Sequence, residues 1–393
     1  MILVDNPYVS AFLKETIIKN GYPVVKTKAA IDLGFDGRAN LLDEDLAIQH
    51  INTTEQPLVY TSSENALDWI AQNLGFSELP EKIALFKDKA KFRRLTEPLF
   101  PDFFYQEVSL VDLDRLTIEG IPFPFIVKPA VGFFSLGVHK ISSDREWRKT
   151  KETLQDEIHQ VNALYPKGVL DTTRFIIEQH IDGDEYAVDA YFNAQGTPVI
   201  TNILKHIFSS GDDVSDRVYF SSKEIIEDNL EKMTSFLYEI GRLAGLTNFP
   251  VHVEVRIDSR GHLLPVEINP LRFGGWCTTA DMTYYAYGFN PYEYYFSQSQ
   301  PDWTRILKDK GGKLFSIIVL DNTTGVEGKN ITSFDYQKLL STFEKPLDLR
   351  KIDYKEHPVF GFLFTETKEE HFSELEFILG SDLKEYIQTS ESR

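Results

Sequence analysis

HVEVRIDSRGHLLPVEINPLRFGG, residues 252–275, is the stretch on which the reading of this chain turns. It divides into two runs of alternating side chains about Arg260-Gly261, the pattern of a β-hairpin. A two-residue turn centred there pairs residues 251–259 antiparallel with residues 262–269, and sets Glu254 opposite Glu267 and Pro265 opposite Arg256. Side chains alternate faces along a strand, so Glu267 and Asn269 share a face and Glu254 joins them. Both cross-strand pairs fall at close, non-hydrogen-bonded positions, where the missing N–H of Pro265 costs the ladder nothing. Two carboxylates facing at ~5 Å repel by roughly 3 kcal/mol at an effective dielectric of about 20, and like charges directly opposed weaken a sheet. The pattern therefore asks for a positive group between the acids. Oxygen donors with one amide, and no required His or Cys, suit Mg²⁺, or Mn²⁺ in its place. The bland alternative is a solvated hairpin with scattered acids.

Upstream of the hairpin, residues 223–245 carry Ile226, Met233, Leu237 and Ile240 at helical spacing and read as a packing helix. Before it, residues 209–222 read as a polar loop carrying Arg217, preceded by PVITNILKHIF, residues 198–208, with Lys205. RFIIEQHIDGDEYAVDAYF, residues 174–192, reads as strand, turn and strand, with Glu178 and Glu185 flanking an apolar run. PFIVKPAVGFFSLGVHKI, residues 124–141, is a strand with Lys128, a loop with Gly132, Ser135 and Gly137, and a second strand. Backbone N–H groups in such a loop can fold over phosphates while Lys128 neutralises them. Phe133 and Phe134 in the same loop equally suit a core. Residues 81–102 form a basic helix with Lys87, Lys89, Lys91, Arg93 and Arg94, ending before Pro98. In an acidic chain such a cluster suits phosphate, and a solvated helix face is the alternative.

The two ends differ in character. Over residues 1–80 short apolar strands (residues 2–5, 23–25 and 57–61) alternate with helices, the first at residues 7–20 and closed by Gly21, which implies a small parallel, Rossmann-like α/β unit. No Gly-x-Gly-x-x-Gly follows its first strand, so no dinucleotide is assigned to it. Beyond residue 300 the order strand, helix, strand, strand, helix implies a separate α+β module over residues 301–393. The fold class expected is thus α/β and α+β combined.

A chain of 393 residues with 42% hydrophobic content has room for two or three domains, and its net charge of −19 argues against nucleic acid or an anionic membrane as partner. Cys277 is the only cysteine, so no intramolecular disulfide forms, which fits a reducing, cytoplasmic setting. Neither a signal-like N-terminus nor an 18-residue apolar run is present. Cys277 reads as a small buried residue, and His180 and His252 as structural. The aromatic run at residues 283–296 reads as packing between the central core and the C-terminal module.

Lys87-Asp88-Lys89, IVKPAVGFFSLGV around Lys128, EQHIDGDE at residues 178–185, and HVEV with EINPLRFGG resemble, in this order, the motifs of the ATP-grasp superfamily. The resemblance covers residues 1–300. It implies an N-terminal pre-ATP-grasp domain at residues 1–80 and an ATP-grasp domain at residues 81–300, with a flap subdomain near residues 100–180. It implies ATP and Mg²⁺ as cofactors, with Lys89 and Lys128 on the phosphates and Gly132, Ser135 and Gly137 in the flap above them. Glu178, Gln179, His180 and Ile181 are similar to the adenine hinge, Glu185 to the ribose acid, and Glu254, Glu267 and Asn269 to the metal ligands. Many members carry Arg two residues after the Asn, where this chain has Leu271, and Arg272 follows one later. The glycine-poor flap and the small C-terminal module resemble bacterial L-amino-acid ligases.

The chemistry implied is phosphorylation of a carboxylate by ATP to an acyl phosphate, then attack by an amine, with ADP and phosphate released. In that reading Arg272 holds the acyl phosphate, Arg217 and Lys205 reach the γ-phosphate, and Gly274 and Gly275 offer backbone N–H groups to an oxyanion or the substrate carboxylate. Surface ion pairs are the alternative for Arg217 and Lys205, and a tight turn for the glycines. The partners expected are a small carboxylate and an amine, with neither nucleic acid nor membrane, and a homodimer stays open. Two other functions compete: ligation to a thiol or a protein side chain, and nucleotide binding for regulation without turnover.

Overall fold

The computed structural model describes residues 1–35, 37–113, 115–132, 137–162, 171–209 and 215–389. At the N-terminus β1 (Ile2–Leu3), β2 (Pro23–Val25), β3 (Asn40–Leu42) and β4 (Tyr60–Thr61) make a parallel sheet in the order β3-β2-β1-β4. The helix Ala11–Asn20 crosses from β1 to β2. It starts where the Ser10 hydroxyl accepts from the Leu13 N–H and stops at Gly21, φ 63°.

The expected basic helix is two helices, Leu79–Lys87 and Lys89–Thr96. Asp88 divides them, because its carboxylate accepts from the N–H groups of Ala90 and Lys91 and so starts a new helix. Next come β5 (Tyr105–Ser109), β6 (Phe125–Val131), β7 (His139–Ile141) and β8 (Asp171–Gln179), an antiparallel sheet in the order β5-β8-β6-β7. Its core of Phe125, Val127, Phe175 and Ile177 closes against Trp147 of the helix Asp144–Asn162.

The large sheet begins with β9 (Asp184–Phe192), β10 (Pro198–Ile207), β11 (Val218–Ser222), β12 (Phe249–Ile257) and β13 (Leu263–Pro270). Beyond residue 300 follow β14 (Lys313–Asp321), β15 (Ile331–Phe334), β16 (Pro346–Lys351), β17 (Val359–Lys368) and β18 (Ile387–Thr389). Eight of these form one antiparallel sheet, β13-β12-β9-β10-β11-β14-β17-β16. Two expectations change here. Residues 218–222 are a strand rather than loop, and through the β11–β14 pairing the C-terminal segment extends the central sheet instead of building its own. Only β15 and β18 pair apart from it.

One face of the sheet packs the helix Lys223–Ala244, whose Ile226, Met233, Leu237 and Ile240 share a core with Val251, Val253 and Val255. The aromatic run forms the helices Thr278–Tyr287 and Pro291–Ser297 and packs to both sides. Tyr285 and Tyr287 meet Phe364 and Phe315 of the C-terminal strands, as expected. Tyr284, Tyr292 and Phe296 meet Phe12, Tyr60 and Tyr22 of the N-terminal domain, which makes the run a three-way junction. Among the described residues no helix is long and apolar enough to cross a membrane.

Candidate functional site

The hairpin sets the two acids opposite each other, as expected, but by another route than the expected turn. His252 pairs with Asn269 and Glu254 with Glu267. Nearer the turn the register slips by one, and Pro265 faces Val255 rather than Arg256. The cause is a three-residue turn. The Asp258 N–H donates to His262 O (3.0 Å), the Gly261 N–H donates to Asp258 O (2.8 Å), and Gly261 takes the left-handed conformation at φ 82°. A bulge at Val266 restores the register, without which the acids would face opposite sides. Arg93 holds that bulge, donating to Pro265 O at 2.7 Å and Val266 O at 3.4 Å.

At this end three oxygen-bearing side chains converge. Asn269 Nδ2 lies 3.4 Å from Glu267 Oε1, and Lys89 Nζ lies 3.3 Å from Glu267 Oε2 while donating to Gly132 O at 3.1 Å. Burial and the facing Glu267 push the Glu254 carboxyl well above its ordinary range. Glu267 moves the other way, since Lys89 and Lys87 outweigh its burial. Among the described residues no lysine or arginine forms an ion pair with Glu254. His252 Nε2 stands 3.9 Å from Glu254 Oε1. Two carboxylates and an amide, with no lysine or arginine on one carboxylate among the described residues, fit a hard divalent cation such as Mg²⁺.

Beyond the acids Leu271 takes φ 58°, a left-handed turn that brings Arg272 back toward them. Arg272 Nη2 donates to Glu64 Oε1 at 2.7 Å and Nη1 to Phe273 O at 2.9 Å, while its buried Nε has no partner among the described residues. Glu64 also pairs with Lys87, and despite burial Arg272 and Lys87 lower its carboxyl to about 2. Nothing local in the sequence marks Glu64, which lies 208 residues from Arg272. Its neighbour Ser63 signals only a helix start.

At the other end Glu178 is wholly engaged. Its Oε2 accepts from Arg93 Nε at 2.7 Å and its Oε1 pairs with Lys128. Burial opposes the charge, but Arg93 and Lys128 bring the carboxyl down to about 2. The hinge after it is held by neighbours. Gln179 Oε1 accepts from the Phe104 N–H (2.9 Å), the His180 N–H donates to Pro124 O (3.1 Å), and Ile181 O accepts from Arg256 Nη1 (2.7 Å). Glu185 accepts from Arg256 Nε at 2.9 Å and lies 2.9 Å from His206 Nδ1, and these two hold it ionised against its burial. The sequence reading missed Arg256 and His206 as site residues, although both fall on the Glu185 face by strand register.

Residues 121–280 match the family model for the ATP-grasp domain. Over these residues the chain has the ATP-grasp fold. No curated protein sequence matches it. Among solved structures, L-amino acid ligase from Bacillus licheniformis superposes with a TM-score of 0.65 at 16% identity, over 99% of this chain and 97% of that one. N5-carboxyaminoimidazole ribonucleotide synthetase from Thermotoga maritima gives 0.63 at 12% identity, over 98% of each chain. Biotin carboxylase from Campylobacter jejuni, in complex with β-γ-ATP, gives 0.61 at 13% identity, over 93% and 87%. At these identities the likeness establishes the fold, and it extends across the chain beyond the ATP-grasp domain.

Not all the expected residues gather between the hairpin acids and Glu178. Lys205 sits on the sheet face opposite His206 and pairs with Asp184 at 2.7 Å, because alternation along β10 sends neighbours to opposite sides. Arg217 donates to Ser381 O (2.7 Å), Ile378 O (3.4 Å) and Thr323 Oγ1 (2.9 Å), bonding carbonyls at the end of the helix Ser373–Gly380. The Gly274 N–H is engaged by Asp189 Oδ1 (3.0 Å) and Thr279 Oγ1 (2.8 Å) instead of facing a substrate, and a side chain there would collide with Thr279. Gly275 is exposed. Asp189, fully buried, also accepts from Thr279 and lies 2.7 Å from His252 Nδ1, which ties the residues after the hairpin to β9. Gly137 takes φ 70°, and Ser135 lies outside the described residues.

Proposed function

We propose that this protein is an ATP-dependent carboxylate-amine ligase that activates a small carboxylic or amino acid as an acyl phosphate and joins it to an amine, releasing ADP and phosphate. The observation that carries this reading is the Glu254–Glu267 pair with Asn269, an oxygen cluster in which Lys89 meets Glu267 and no lysine or arginine among the described residues meets Glu254, at one end of a site whose other end is Glu178, Lys128 and Arg93. A divalent cation held by Glu254, Glu267 and Asn269 would neutralise phosphate charge as it redistributes during transfer.

The chain's own residues supply the rest. Lys89 and Lys128 bind phosphate oxygens, and Glu178 to Ile181 with Glu185 receive the adenosine. Arg272, with an enclosed Nε–H unmatched by any acceptor among the described residues, binds the carboxylate and then its acyl phosphate. Glu64 fixes the direction of that guanidinium through Nη2, so the N-terminal domain completes the site. A carboxylate is a poor electrophile until phosphorylated, and the amine then displaces phosphate. The three solved structures named above, two of a ligase or synthetase and one of a carboxylase with a bound ATP analogue, support this class.

A screen of amino-acid pairs with Mg²⁺ and ATP, read as phosphate release with products resolved by mass spectrometry, tests it. Phosphate and ADP that require both an acid and an amine are expected. Release of AMP and pyrophosphate overturns the mechanism, and ATP binding without turnover on any acid overturns the enzyme.

A further inference from the structure

We propose that Arg93 is a positioning residue that locks the nucleotide end of the site to the metal end. The inference rests on the ATP reading above and adds a residue to it. One guanidinium, 3% exposed, uses all three of its nitrogens on two distant strands. Nε donates to Glu178 Oε2 (2.7 Å) on β8, while Nη1 and Nη2 donate to the carbonyls of Pro265 (2.7 Å) and Val266 (3.4 Å) on β13. Val266 directly precedes Glu267, and the bulge it forms decides which face Glu267 presents.

The strut is itself held in place. Arg93 belongs to the helix Lys89–Thr96, whose first residue, Lys89, meets Glu267 at 3.3 Å. The Phe103 ring lies 4.4 Å from the guanidinium carbon. The Glu178 carboxylate that Arg93 orients also grips Lys128. A planar guanidinium donates along several fixed directions at once, which a lysine ammonium on a flexible stem cannot reproduce across two strands. Arg93 touches neither phosphate nor metal ligand side chain directly, so its effect passes through Glu178 at one end and through the backbone before Glu267 at the other.

Two binding steps separate this role from simple neutralisation of Glu178: ATP binding in EDTA by calorimetry, and Mn²⁺ binding to the ATP complex by electron paramagnetic resonance. Glu178→Gln should weaken the first step and leave the second within about twofold. The double variant Arg93→Met/Glu178→Gln, which leaves no unpaired buried carboxylate, should weaken the Mn²⁺ step about tenfold, because the bulge carbonyls lose their donor. A wild-type Mn²⁺ step in the double variant overturns the strut. Should the double variant fail to fold by circular dichroism, Arg93→Lys gives the same readout. It keeps charge beside Glu178, so ATP binding in EDTA stays within about threefold while the Mn²⁺ step falls about tenfold, and a normal Mn²⁺ step overturns the proposal. A wild-type chain that binds no ATP in either condition overturns the ATP reading and the strut with it, whereas normal wild-type binding with insensitive variants overturns the strut alone.

Discussion

The two ends of the site treat buried charge in opposite ways. At the Glu178 end the charges are matched within the chain, with one carboxylate between Arg93 and Lys128, and the carboxyl sits far below its ordinary range. At the Glu254 end two carboxylates face each other, Lys89 reaches only Glu267, and Glu254 is pushed the other way. A matched end contributes to the fold before any ligand arrives. An unmatched end is costly until a cation comes, and in the proposed function that cost would become binding free energy for a metal-nucleotide complex.

The sharpest way to break this comparison is Glu254→Gln. Metal-dependent phosphate release should fall by about 10²- to 10³-fold, the loss of several kcal/mol of charge stabilisation. The metal-free protein should become more stable by roughly 1–3 kcal/mol as the facing repulsion disappears. Thermal melts in EDTA read the second effect, and a less stable variant would mean the acids are already compensated. Glu178→Gln should do the reverse and destabilise the metal-free protein by about 3–5 kcal/mol, since Arg93 and Lys128 lose their common partner. Urea melts measure it.

The matched end also makes a pH prediction. The folded carboxyl of Glu178, at about 2, lies below its usual 4.5. Its stabilising contribution is therefore complete above pH 4.5 and is lost as the pH falls from 4.5 toward 2, by about 3 kcal/mol in all. The stability gap between wild type and Glu178→Gln should narrow across that window. A gap that stays constant would show that the carboxylate is not the titrating group. The smallest effect should come from Lys205→Met. Its ion pair lies on the other face of the sheet and is partly exposed, so activity should change less than about twofold and stability by under about 1 kcal/mol. A hundredfold loss of activity would return Lys205 to the site.

Local patterns carried much of this structure. The alternation in residues 251–269 marked Glu254, Glu267 and Asn269 as hairpin acids and amide, and Gly21 closed the first long helix as expected, although that helix starts at Ala11, after the Ser10 cap, rather than at residue 7. The reading failed where a side chain answered to something distant. Asp88 breaks a helix that composition alone would run through, and its carboxylate is also claimed by Arg174. Residues 218–222, Val-Tyr-Phe-Ser-Ser, directly follow a polar stretch and read with it as loop, yet they pair with β14 nearly a hundred residues on. The bulge at Val266 depends on the exact length of a turn and on Arg93, 172 residues from the carbonyl it binds.

What the sequence determined by itself is the set of groups that alternate or cap: the hairpin acids, the strand faces, the lysines of β6 and of the helix Lys89–Thr96. Periodicity and capping act over a few residues, so they are visible in order along the chain. Tertiary structure alone decided which charges are matched. Glu64 with Arg272, Arg93 with Glu178, and Asp189 with His252 meet across 208, 85 and 63 residues. Whether a carboxylate is neutralised depends on distance and burial, and neither is written in the spacing of residues along a strand.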